Sequence, residues 1–212
     1  MQIVCRFSMS SSHTSLLDTA SYQNKNGSSS DDISEWARQL GGNLRACFRG
    51  VYSKDTIPTL ENDQCMVINI ENSTDSKGKP LPGTHWVAAG IQNKQSWYFD
   101  SFGLDPPIHV TQMLPAPIQR ATHQIQNNTA TTCGLFALAA CDAVTSHPSR
   151  APVQSLESFE SVFETPNLES SDKKLHQYFV HRVGRHHEHH VTAIEPIHMI
   201  NRFFIELKRS FQ

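Results

Sequence analysis

Apolar residues crowd one segment of this chain more than any other. Thr132-Cys-Gly-Leu-Phe-Ala-Leu-Ala-Ala-Cys-Asp-Ala-Val144 is apolar on nearly every side of a helical wheel, so it has no face to offer water and predicts a central buried helix. It ends near His147-Pro148, where proline cannot continue the backbone hydrogen bonding. Three further runs are rich in β-branched and aromatic residues. Gln64-Cys-Met-Val-Ile-Asn-Ile70 predicts a buried strand that leads into a polar loop over 71–82. His85-Trp-Val-Ala-Ala-Gly-Ile91 and Ser96-Trp-Tyr-Phe-Asp-Ser-Phe102, joined by Gln92-Asn-Lys-Gln95, predict an antiparallel hairpin. His85 opens the first strand of that hairpin, and Asp100 falls near the end of the second.

Ile33, Trp36 and Leu40 recur at i, i+3 and i+7 between a capping Asp32 and the pair Gly41-Gly42, which predicts a short amphipathic helix. Residues 173–180 and 197–211 also carry helical spacing. The proline-rich stretch 105–117 is expected to break regular structure, and the residues between the central helix and Lys173 read as a polar linker. Upstream, residues 8–32 are mostly Ser, Asn, Thr and Gly. Such a composition buries too little apolar surface to offset its ordering entropy, so residues 1–31 are expected to be a mobile tail ahead of one domain over 32–212.

Composition narrows the function classes. At 212 residues, 38% hydrophobic and 18% charged, the chain can bury one well-packed core. Its net charge of −2 leaves no global positive field for nucleic acid or an anionic membrane. No stretch approaches the ~18 apolar residues that span a bilayer, and the first residues lack the apolar run of a secretory signal. A soluble, intracellular monomer is expected. Five cysteines at irregular spacing, with no CxxC pair, argue against a disulfide framework and a thiolate zinc site. At least one thiol is therefore free.

Cysteine attacks as the thiolate, which a helix N-terminus or a neighbouring imidazolium favours. Cys133 stands at the predicted start of the buried helix, followed by Gly134, which allows close backbone approach. The plain alternative is a buried structural cysteine, as most lone cysteines are. His85 follows Pro82-Gly83-Thr84, where a loop enters a strand, and competes with the other histidines among twelve for a role as base. Asp100 is its natural partner, because a hairpin brings strand ends together and a carboxylate fixes an imidazole's tautomer; by spacing alone it could equally be an exposed strand-end acid. Thiolate attack on an amide also needs donors for the developing oxyanion. Gln126 could supply one, and by composition so could Gln124, Asn127 or Asn128.

Thr84-His-Trp86, then Tyr98-Phe-Asp-Ser-Phe-Gly103, then Gln126 followed seven positions later by Cys133-Gly-Leu-Phe136, resembles the adenovirus maturation protease family, adenain. The order His, acid, Gln, Cys is shared with the SUMO-specific proteases of the same clan; those place their Gln one residue nearer the Cys, where this chain has Asn127. Looser similarity extends over roughly 32–180, including Arg38-Gln-Leu-Gly41, Gly50-Val-Tyr-Ser-Lys54 and Lys174-Leu-His-Gln-Tyr-Phe179. The resemblance implies an α+β fold of the papain-like, adenain type, with the buried helix carrying the nucleophile on a mixed or antiparallel sheet. It implies Cys133 as nucleophile, His85 as general base and acid, Asp100 as orienting carboxylate, and Gln126 with the Cys133 backbone N–H as oxyanion hole. Trp86 would pack beside the site and, with Gly134, contact substrate. No metal or cofactor is implied.

The family's substrates are viral precursor proteins cut after small residues, usually Gly, during virion maturation, which implies a host-nuclear and virion setting; related proteases occur in other large DNA viruses and virus-like transposons. The family is activated by DNA and by a viral peptide that forms a disulfide with a cysteine between the acid and the Gln. This chain has no cysteine between Phe102 and Cys133, and its near-neutral charge works against a DNA activator. Two other readings compete: an isopeptidase for SUMO or ubiquitin, and an inactive protease-derived binding module. Arg185-His-His-Glu-His-His190 invites a metal reading but is not HExxH, since Val191 holds the final position; a solvated surface is expected there.

Overall fold

The computed structural model describes residues 27–81, 83–163 and 167–188. Six helices and five strands alternate irregularly along them: α1 (Ser30–Leu40), α2 (Gly42–Cys47), β1 (Phe48–Ser53), β2 (Gln64–Asn69), β3 (Trp86–Gln92), β4 (Gln95–Phe99), α3 (Ile108–Met113), β5 (Ile118–Arg120), α4 (Cys133–Thr145), α5 (Pro152–Phe163) and α6 (Glu169–Glu188). The strands form one mixed sheet in the order β1-β2-β3-β4-β5, with the outer pairs parallel and the inner pairs antiparallel. The class is α+β. None of the described helices is long and apolar enough to cross a membrane.

Both faces of the sheet are covered, which explains why its strands read as continuous apolar runs instead of alternating ones. Cys65 and Val67 of β2, Trp86 and Ala88 of β3, and Trp97 and Phe99 of β4 face the larger core, shared with α1, α4, α5 and α6. Their alternates Met66, Ile68, Val87, Ala89, Ile91 and Tyr98 face a smaller core closed by Leu60 and by Val110 and Leu114 at α3. The expected hairpin is present. Its two-residue turn, Asn93-Lys94, has φ of 53° and 61°, the left-handed pair that matches strand twist. Opposite Trp97 stands Gly90, where an added Cβ would lie 2.6 Å from the indole, so the glycine lets the ring lie across β3.

Every residue of α4 is buried, as the sequence pattern predicts. Alanines at 137, 139, 140 and 143 let the helix approach the sheet closely, while Phe136 meets Phe163 of α5 edge to face at 5.2 Å. One charged residue lies inside this helix. Asp142 is fully buried and accepts from Arg182 of α6 at 2.6 Å (Oδ2) and 2.5 Å (Oδ1), and from the Tyr178 hydroxyl. That bidentate pair ties α6 to the centre of the molecule.

Four expectations need correction. Helix α1 begins at Ser30 with Ser29 as its cap, and Asp32 is instead the third helical residue, whose carboxylate accepts from the Ser29 N–H at 2.9 Å in a reciprocal capping box. Residues 27–31, inside the stretch assigned to a mobile tail, are thus among those with a defined conformation; residues 1–26 lie outside those described. Residues 152–163 are a helix rather than a linker: Leu156, Phe159 and Phe163 form a buried stripe at helical spacing and Pro152 starts the first turn, where its missing N–H costs nothing. A short helix, α3, also interrupts the proline-rich 105–117, starting just after Pro107. The helical spacing at 197–211 falls outside the described residues.

Without Arg182 the Asp142 carboxylate would be buried with the Tyr178 hydroxyl but no counter-charge. Arg182→Met is therefore expected to lower unfolding free energy by ~3–5 kcal/mol, with much of the loss recovered when Asp142→Asn is added. Urea denaturation of the two variants and the wild type measures both effects, and an unaltered midpoint for Arg182→Met would show that the pair contributes nothing.

Candidate active site

The hairpin and the buried helix converge on one cluster. His85 immediately precedes β3, Asp100 immediately follows β4, and Cys133 is the first residue of α4. All are nearly withdrawn from solvent, at 9%, 2% and 8% exposure respectively. His85 Nε2 lies 3.0 Å from Asp100 Oδ1. With that nitrogen donating to the carboxylate, Nδ1 is left for a second partner, and Cys133 is close enough to the ring to influence its charge. Phe102 stacks on the imidazole at 4.9 Å between centroids and 30° between planes, which limits rotation of the ring.

Electrostatics favour the imidazolium. Burial alone opposes the charge, but the bond that His85 donates to Asp100 and the nearness of Asp100 and Cys133 outweigh it and push His85 up to about 9. The sulfur occupies the N-terminus of a helix whose cap, Thr132, makes no side-chain bond to the helix backbone, so the first N–H groups of α4 are not claimed by a capping side chain. Thr132 instead donates through Oγ1 to Asp172 Oδ1 of α6 at 2.5 Å. Burial pushes the Asp172 carboxyl up, and the bond from Thr132 works against that shift.

Asp100 is satisfied on every side. Its Oδ1 also accepts from the Phe102 N–H at 2.8 Å, and its carbonyl accepts from the Gly103 N–H at 2.8 Å, closing a tight turn over 100–103. Gly103 has φ of 68°, and a Cβ there would sit 2.6 Å from the Thr122 carbonyl oxygen. Only glycine fits both demands, so the turn lies directly against the segment that leads to Gln126.

Gln126 separates from its rivals by burial. It is 1% exposed, whereas Gln124 and Asn128 are exposed and pair with each other, and Asn127 closes its own loop by accepting from Thr129. Its Oε1 accepts from the Ser101 hydroxyl at 2.6 Å, and its Nε2 donates to the Ala130 carbonyl at 2.8 Å. The second hydrogen on Nε2 is left for another acceptor. Glu160 of α5 steadies the same segment by accepting from the His123 N–H at 3.1 Å.

Trp86 and Gly134 have other neighbours than a ligand here. The Trp86 N–H donates to the Ser28 carbonyl at 3.0 Å, and its ring leaves no room for a Cβ on Gly83. A Cβ on Gly134 would lie 2.9 Å from both Ile33 and Ser28, so this glycine admits α1 against the start of α4. The residues beyond the expected set are Ser101, Phe102, Ser28 and Asp172. Ser101 and Phe102 stand in the Tyr98–Gly103 motif but carry no chemical signature of their own, and Ser28 and Asp172 arrive from distant segments. Among the described residues no group of His, Cys, Asp or Glu is arranged to hold a metal ion; the side chains of 185–190 lie outside the description.

The raised His85 fixes a sign. Its folded value exceeds the ordinary 6.5, so its contribution to stability is fully present below about pH 6.5 and fades as pH rises through about 9. Imidazole NMR should find the ring still protonated at pH 8 and titrating near 9, and Cys133→Ala should lower that midpoint by removing one of its two partners. A midpoint near 6.5 in both proteins would show that sulfur and imidazole do not interact.

Compared with models of known protein families and with curated proteins, the chain matches none.

Proposed function

We propose that this protein is a cysteine endopeptidase of the papain-like, adenain type, and the observation that carries the reading is the placement of Cys133, at the N-terminus of a buried helix, beside a buried His85 that is bonded to Asp100. A thiol alone in that position would be a packing residue. A thiol beside a buried imidazole whose far nitrogen is held by a buried carboxylate has the arrangement that activates nucleophiles.

In the proposed reaction the Cys133 thiolate attacks the carbonyl carbon of a peptide bond, forming a C–S bond and moving an electron pair onto oxygen. The backbone N–H of Cys133 and the second hydrogen of Gln126 Nε2 stabilise that oxyanion. Collapse breaks the C–N bond, and the His85 imidazolium protonates the departing amine. Neutral His85 then takes a proton from water, whose oxygen attacks the thioester, releasing the carboxylate product and restoring the ion pair. Asp100 holds the ring through both transfers, aided by the Phe102 stack.

Viral precursor proteins cut after glycine, as in virion maturation, are the substrates that the resemblance in motif supports. The reading as an inactive binding module finds no support in the cluster, since a scaffold without chemistry has no need of a buried charged imidazole, which costs desolvation.

Cys133→Ala is expected to abolish cleavage, on the order of 10⁶-fold, with melting temperature nearly unchanged. Turnover surviving in that variant would end the proposal. Substrate class is decided by incubating the wild type with a peptide library carrying Gly before the cut and with SUMO and ubiquitin precursors; exclusive processing of the modifiers would replace the maturation reading by the isopeptidase one.

A further inference from the structure

We infer that Ser101 is a positioning residue for the oxyanion donor, acting through Gln126. The inference rests on the reaction just proposed and extends it to a side chain that has no part in the usual roles of nucleophile, base or acid. Two bonds connect the residues directly, and a third joins Ser101 to the neighbouring Ile125. The Ser101 hydroxyl donates to Gln126 Oε1 at 2.6 Å, and the Ser101 carbonyl accepts from the Gln126 N–H at 3.1 Å and from the Ile125 N–H at 2.9 Å. Ser101 is 1% exposed, so water cannot substitute for its hydroxyl.

A glutamine amide has two ends of nearly equal shape and opposite polarity. An oxyanion donor works only when the nitrogen end faces the reacting carbonyl, because the oxygen end would repel the developing charge. At Gln126 the Ala130 carbonyl, an acceptor only, requires nitrogen on its side. The Ser101 hydroxyl supplies the donor that the opposite oxygen needs, so the two bonds together select one orientation and hold it. Donation into Oε1 also polarises the amide, which makes its remaining N–H a better donor.

Ser101 directly follows Asp100 in the turn that Gly103 closes. Consecutive residues of one tight turn therefore orient both halves of the reaction: the carboxylate of Asp100 sets the base, and the hydroxyl of Ser101 sets the oxyanion donor. The side chains on a turn of this kind cannot move independently, so base and donor keep their relative placement.

The test separates thiolate reactivity from oxyanion stabilisation. Alkylation of Cys133 by iodoacetamide needs the Cys–His pair but no oxyanion donor; hydrolysis of a fluorogenic peptide amide with Gly-Gly before the scissile bond needs both. Ser101→Ala is expected to alkylate at the wild-type rate, to lower kcat about tenfold, and to leave KM unchanged, where loss of the donor itself in Gln126→Ala costs ~10²–10³. Ser101→Thr, which keeps the hydroxyl, should restore kcat, and Ser101→Ala should cost nothing further in the Gln126→Ala background. An unchanged kcat in Ser101→Ala, an equal fall in alkylation and hydrolysis, or additive losses in the double variant would each overturn the inference. Full turnover by Gln126→Ala would overturn it too while leaving the nucleophile assignment intact, whereas survival of turnover in Cys133→Ala would remove the reaction as a whole. Should Ser101→Ala fold poorly, the Ser101→Thr kcat decides: a fall matching that of Gln126→Ala counts against the hydroxyl's role.

Discussion

The carboxylate of Asp100 is the constraint around which the rest of the cluster is built. A charge with 2% exposure is tolerated only when its oxygens are bonded, and here the donors are the imidazole of His85 and the N–H of Phe102, with the Tyr98 hydroxyl at 3.4 Å from the other oxygen. Meeting that demand pins the imidazole to the end of β4, in the neighbourhood of Cys133. The same carboxylate shapes the turn over 100–103, which presses on residue 122 and carries the carbonyl and hydroxyl that hold Gln126. Satisfying one buried charge thus organises groups from three separate stretches of the chain.

The helix α4 serves a second buried charge at its other end. Asp142 is neutralised by Arg182, while Thr132 at the start of the helix bonds to Asp172. Helix α6 therefore grips α4 near both ends. A thiol on a helix that could slide along the sheet would lose its register with His85. Small residues along α4 let it lie close to β3, and Gly134 lets α1 close over its first turn. The rigidity of the site is then a property of packing on every side of one helix, in keeping with the density of protein interiors.

Charge and burial also oppose each other usefully at His85. Desolvation favours the neutral ring, and the two partners favour the charged one. The ring's charge therefore reflects the balance of its burial against its two neighbours. A solvated surface histidine, free of either influence, would stay near its ordinary value.

Much of this architecture was legible in the chain. The run from Leu135 to Val144, apolar except for Asp142, predicts an interior helix, the two strand-like runs around Asn93-Lys94 predict a hairpin, and His85 and Asp100 were brought to neighbouring strand ends by that pairing. Spacing failed where a decision depended on distant partners. Residues 152–163 looked polar because serine and glutamate intersperse Leu156, Phe159 and Phe163, and only the aromatic core beneath shows why that stripe wins. Composition could not choose among Gln124, Gln126, Asn127 and Asn128, since amides differ by burial and not by kind, and it was the turn after β4 that drew Gln126 inside. Local sequence determined the buried helix, the hairpin and the amphipathic first helix, because periodicity and backbone stereochemistry are local. Which polar side chains leave water, and so acquire chemistry, was decided by the tertiary structure, because desolvation and partner geometry arise only when remote segments meet.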